Sequence, residues 1–128
     1  MRYRVRTVMS FDEFQSRLGD MLDKVPERLL DGLNGGVLAD PAAKRSDDAT
    51  GLLVLGQYHR DHILGRLIVL YYGSFVYLCG QDRDRWLDEM WETLRHEIRH
   101  HVEDQAGVRD LEREDQEWVR KHLSGPGD

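Results

Sequence analysis

Between Trp86 and Ile98 the apolar residues fall at spacings of three and four: Trp86, Leu87, Met90, Trp91, Leu94, Ile98. That period is the signature of an amphipathic helix with one buried stripe. It forces the chain to supply a second layer for the stripe to pack against. On the flank of the same stripe stands His96-Glu97-Ile98-Arg99-His100. Residues four apart on a helix share a face and lie about one turn from each other. Two imidazoles placed this way can both reach one Zn²⁺ at roughly 2.0–2.1 Å. The glutamate after the first histidine then lies where it can take a proton from an attacking water. The pattern therefore points to metal-dependent hydrolysis, most often of peptide bonds. With six His in 128 residues, chance places such a pattern in about 2% of shuffled chains. Its position inside a predicted helix argues against a row of ordinary solvated polar residues.

The length suits one domain with a modest core. The net charge is −6, from 24 acidic and 18 basic residues. No basic block is present, so nucleic acid is not the expected partner. No apolar run is long enough to span a bilayer, and the N-terminus has no apolar h-region of a signal peptide. The single cysteine, Cys79, sits beside Tyr77 and Leu78 and reads as a small buried residue rather than a nucleophile. A soluble, cytoplasmic protein is expected.

Residues 2–9 alternate apolar residues with arginines and predict a strand. Ser10-Phe11-Asp12-Glu13 is a capping box. It opens a helix over 11–24 with Phe11, Phe14, Leu18, Met21, Leu22 and Val25 at helical spacing. Pro26 starts a short second helix through Leu33, broken by Gly35-Gly36. Val37–Ala39 is a short strand stopped by Pro41, and 41–50 is a loop. Leu52–Leu55 starts another strand towards Tyr58. His59–His62 is a turn whose histidines could line a cleft. Leu67–Tyr72 is the clearest strand, and residues 66–72 form the edge on which an extended substrate could pair. Gly73-Ser74 turns, and Phe75–Leu78 is a connector. The long helix is placed at 83–105, ended by Gly107. Leu111, Trp118, Val119 and Leu123 mark a last helix over 109–123. Residues 124–128 form a disordered tail. The predicted class is α/β (α+β): one domain over 1–123, a sheet of three or four strands, the active helix and flanking helices.

A catalytic zinc needs a third protein ligand besides the two histidines. Residues 84–115 resemble the small bacterial zincin-like metallopeptidases, the minimal zincins. Met9–Phe14, Gly65–Gly73 and His96–His101 are similar to the same family. The resemblance implies a compact α/β domain, a zinc site and peptidase activity on a peptide or protein substrate. It implies no particular substrate and no oligomeric state. Shorter members carry H-E-x-x-H-x-x-G-x-x-D, in which the glycine ends the helix and the aspartate completes the site. Here the glycine position holds Glu103, and the glycine comes four residues later, at Gly107. Keeping the G-x-x-D spacing makes Asp110 the third ligand. The four extra residues lengthen the helix by about 6 Å, which favours Glu114 or Asp115 one turn further on. The metal set is thus His96, His100 and Asp110, with Glu114 and Asp115 as alternatives and Glu97 as general base. His101 points about 100° away from the pair and reads as a packing or supporting residue. Glu103 and Asp104 read as solvated helix acids. Tyr71 or Tyr72 could donate to an oxyanion, though packing accounts for both. The rival reading is a non-catalytic zinc-binding or protein-interaction module, which would have no use for Glu97 as a base.

Overall fold

Ser10 begins the first helix as the sequence predicts. The computed structural model of the protein describes residues 6–123. In it the Ser10 hydroxyl oxygen accepts from the Glu13 N–H at 3.1 Å and opens α1, Phe11–Asp23. The reciprocal half of the capping box is replaced. The Glu13 carboxylate accepts from Arg83 and pairs with Arg17, tying α1 to the start of the long helix. A 3-10 turn at Glu27–Leu30 follows, where a short helix was expected.

Five strands come next: β1 Gly36–Asp40, β2 Lys44–Arg45, β3 Leu53–Val54, β4 Gly56–Asp61 and β5 Gly65–Tyr71. β1, β5 and β4 form a sheet in that order, with β1 parallel and β4 antiparallel to β5. β2 and β3 make a separate two-stranded ladder within and beside the predicted loop. Two helices close the chain, α2 Tyr72–Cys79 and α3 Arg83–Leu123. The result is the expected α+β domain. Its core lies between one face of the sheet and the helices. Phe14, Leu18 and Met21 of α1 meet Ile68 and Leu70 of β5 and Phe75 of α2 there. The predicted stripe of α3 joins them: Trp86, Met90, Leu94 and Ile98 are buried, with Leu87 and Trp91 packed at the margin. Among the described residues no helix is long and apolar enough to cross a membrane.

Four expectations are corrected. Residues 6–9 of the predicted first strand are not extended into a sheet. Val8 N–H donates to the Gly80 carbonyl, and Met9 is fully buried; residues 2–5 lie outside the described residues, as does the tail. The turn at Gly73-Ser74 and the connector at 75–78 are together the helix α2. Its aromatic and β-branched residues favour extension, but burial of Ser74, Phe75 and Cys79 on one side overrides that weak preference. The turn expected at 59–62 comes two to three residues later, at 62–64. β4 continues through Asp61, whose Oδ1 accepts from the N–H groups of Ile63 and Leu64 at 2.7 and 2.8 Å. Finally, Gly107 does not end a helix: α3 runs unbroken to Leu123. A glycine inside a helix costs only about 1 kcal/mol, less than the several hydrogen bonds that a break would remove.

Gly56 is required by a close approach. A Cβ there would lie 2.6 Å from Thr93 Cγ2 of α3 and 3.2 Å from the Val69 carbonyl oxygen. Gly56→Ala is expected to destabilise the fold by about 1–3 kcal/mol through overpacking. Urea unfolding should read this as a lower midpoint with unchanged slope, and an unchanged midpoint would show that α3 can retreat from β4.

Candidate metal centre

α3 turns one side to the core and leaves the next open. Leu94 and Ile98 anchor it, while His96 and His100 are exposed one turn apart. Their Nε2 atoms stand 3.0 Å from each other, with the rings edge to face. Glu97 lies on the side of α3 that faces β4 and is only 6% exposed. Ligand atoms of His96, Glu97 and His100 all fall within 4.8 Å of one another. Burial pushes the Glu97 carboxyl up from its ordinary value. The His100 and His96 imidazoles and the backbone N–H of Tyr58 pull the other way.

β4 forms the second wall. Tyr71 N–H donates to the Leu55 carbonyl at 2.8 Å. Antiparallel ladders alternate bonded and non-bonded pairs. Gln57 and His59 therefore direct their backbone groups to β5, and Gly56, Tyr58 and Arg60 direct theirs outward. Among the described residues no strand pairs with that outer side. The edge beside the histidines is β4, and not the expected 66–72, which is the central strand of its sheet. Between β4 and α3 runs an open groove of about 920 Å³, lined by Tyr58, His59, Glu97, His100, Glu103 and Leu111 among others. His59 thus lines the cleft. His62 sits in the exposed hairpin turn and does not.

The remaining candidates separate cleanly. His101 is fully buried. Its Nε2 donates to the Asp31 carbonyl at 2.7 Å, and its Nδ1 lies 2.8 Å from the Tyr58 hydroxyl. Tyr58 also donates to Asp104, which accepts from Arg66 at 2.6 Å and from Arg60. The Asp104 side chain is 7% exposed, so this is no solvated helix acid. It holds the groove strand against the histidine helix. Sequence offered no sign of it, because its partners lie 38 to 46 residues away. Asp104→Ala should cost about 1–3 kcal/mol by leaving the half-buried Tyr58 and Arg66 donors unpaired, with faster amide exchange in β4. Unaltered exchange there would mean that β4 is held by β5 alone. Tyr71 donates to Gln57 and Tyr72 to the Met9 carbonyl, so both hydroxyls are spent on packing. Cys79 is buried, and its thiol is pushed up to about 11 by desolvation. Alkylation of the native protein at pH 8 should therefore be at least tenfold slower than after unfolding, since the thiolate is the reactive form. Equal rates would contradict the burial.

Asp110, Glu114 and Asp115 are not brought to the pair. They continue the same unbroken helix, roughly 15 to 22 Å further along it at 1.5 Å per residue. Asp110 is exposed and pairs with Arg113 at 3.1 Å. The antiparallel return that would have carried these acids back is absent, because α3 does not turn at Gly107.

The histidines, the buried glutamate and the β4 edge all lie within residues 47–118, the stretch matched by the family model for zincin-like metallopeptidases. The chain belongs to the zincin-like metallopeptidase family. A solved structure, a conserved hypothetical protein from Thermus thermophilus, is similar to this zincin-like chain at 37% identity. The match covers 77% of this chain and 99% of that one, with a TM-score of 0.68. No curated protein matches the chain. The donor set fits zinc, the metal to which the family points. Two bonds of about 2.05 Å at a tetrahedral angle put their nitrogens roughly 3.4 Å apart, close to the 3.0 Å between the two Nε2 atoms here.

Proposed function

We propose that the protein is a zinc-dependent peptidase in which His96 and His100 hold the metal and Glu97 is the general base. The observation that carries this reading is the convergence of both imidazoles with a buried carboxylate at the open side of an edge strand. A bound zinc ion would supply Lewis acidity to a water and to the scissile carbonyl. Glu97 takes the proton of the attacking water and delivers it to the departing amine. Its burial holds the carboxyl above the ordinary range and so makes it a better proton acceptor. The outward groups of Gly56 and Arg60 and the outward carbonyl of Tyr58, whose N–H is turned to Glu97, pair with an extended peptide. The groove is open at its ends, so backbone pairing contributes more to binding than side-chain pockets do.

A structural zinc site has four protein ligands. Among the described residues only His96, Glu97 and His100 meet, which favours an open, catalytic site over a closed scaffold. The test is hydrolysis of an unbiased peptide mixture by the zinc-loaded protein, with and without chelator. Cleavage that chelator abolishes and zinc restores supports the proposal. Zinc bound through the histidines without cleavage of any peptide in the mixture supports the interaction module instead.

A further inference from the structure

The ligand face of α3 is longer than the fold beneath it. From Gly107 the same face is met again at four, seven and eleven residues in each direction. Towards the N-terminus these positions are Glu103, His100 and His96, and towards the C-terminus Leu111, Glu114 and Trp118. Spacings of three and four keep all seven residues on one side of the helix. The second half of that face stays largely open: Leu111 lines the end of the groove, and Trp118 stacks only on His122, one turn further along α3. Leu111 is 62% and Trp118 55% exposed. Gly107, at the centre, has nothing within 4 Å of where a Cβ would stand.

That spacing is common to any helix; what makes this face self-complementary about Gly107 is its residues, with Glu114 set opposite His100 and with Leu111 and Trp118 exposed. We propose that a second copy of this chain lies antiparallel along the ligand face of α3, crossing at Gly107, so that Glu114 of each copy completes the metal site of the other. The inference rests on the zinc reading above, and because His100, Glu103, Gly107 and Leu111 also line the groove, the second copy and a peptide compete for this face. In that register His100 faces the partner's Glu114, His96 faces the partner's Trp118, and Glu103 faces the partner's Leu111. The missing Cβ at the crossing lets the two helices approach closely. On the flank, Arg99 meets the partner's Glu117, opposite in charge.

Three facts select a second copy over a foreign partner. Among the described residues the site is one ligand short of a catalytic zinc's three. The chain carries an acid at the position that the symmetry places opposite His100. The uncovered apolar side chains, Leu111 and Trp118, lie on the same face as that acid. The crossing also gathers Glu103, Asp110 and Glu114 of both copies, whose mutual repulsion a cation relieves. Pairing is therefore zinc-dependent.

Sedimentation of the full chain reads the first part. Zinc should convert monomer to dimer, and chelator should reverse it. Mixing reads the second. The double variant His96→Ala/His100→Ala keeps Glu114 but has no histidine pair, and Glu114→Ala keeps the pair but has no acid. Each alone should bind zinc at least tenfold more weakly than wild type by calorimetry. Mixed in equal amounts, they should regain tight binding at about half the wild-type capacity, since only the mixed dimer has one complete site. Gly107→Gln keeps every ligand and a good helix former, so it should fold yet fail to dimerise with zinc. A zinc-loaded wild type that stays monomeric, a Glu114→Ala variant with wild-type affinity, or a mixture no tighter than its components each overturns the pairing. In those cases zinc binding that still depends on His96 and His100 leaves the metal site standing. Wild-type protein that binds no zinc removes both.

Discussion

Glu97→Gln is expected to lose peptide hydrolysis by roughly 10²–10⁴-fold, the usual contribution of a positioned acid–base group, while keeping its zinc and its melting temperature. The substitution preserves the volume of a side chain that is 6% exposed and removes only the proton-accepting carboxylate. The amide oxygen still faces the Tyr58 N–H, which points to this side chain from the outer side of β4. Burial already disfavours the charged form, so neutralising it costs the fold little. Zinc affinity should hold because the two Nε2 atoms that meet at 3.0 Å belong to His96 and His100. If the variant loses zinc, Glu97 is a ligand and the base must be sought elsewhere, His59 being the next group in the groove. If it hydrolyses at the wild-type rate, the general-base assignment fails with the metal site intact.

What the sequence made legible was whatever depends on a short-range period. The stripe from Trp86 to Ile98, the Ser10 cap and the strand at 67–71 each carry their pattern within one element, and each forms where expected. The histidine pair was legible for the same reason, since one turn of helix brings both rings together. The misreadings are decided by distant contacts or by competing costs of similar size. Residues 73–78 read as a turn and a short connector, and burial beneath α1 and α3 makes them helical. The groove strand was misassigned because strand order is a pairing between segments: β5 lies between β1 and β4, so the more hydrophobic strand is the central one. Asp104 looked like any helix acid, yet Tyr58, Arg60 and Arg66 converge on it from a hairpin about forty residues earlier. Gly107 was read as a helix terminator, and that single choice fixed the placing of Asp110, Glu114 and Asp115. With the helix continuous, the position seven residues beyond Gly107 returns to His100 only if a second helix runs the other way.

His100→Ala should weaken zinc binding by about 10²-fold or more, and His96→Ala by a similar factor. Apparent zinc binding in four-ligand sites is on the order of 10–16 kcal/mol, or about 3 kcal/mol per ligand, and each 1.4 kcal/mol is tenfold. Both imidazoles are exposed and make no contact with the core, so their removal should leave the melting temperature of the metal-free protein unchanged. The loss therefore reports the metal and not the fold. Imidazole coordinates only when neutral, so wild-type affinity should fall as pH is lowered. Each variant has one such group fewer, so its affinity should fall less steeply over the same range. Competition with a chromophoric chelator between pH 5.5 and 8 measures both quantities. Unchanged affinity in both variants would place the metal away from α3. A full loss in one variant only would mean that the 3.0 Å pair is a hydrogen bond between histidines and that the second ligand is another group lining the groove.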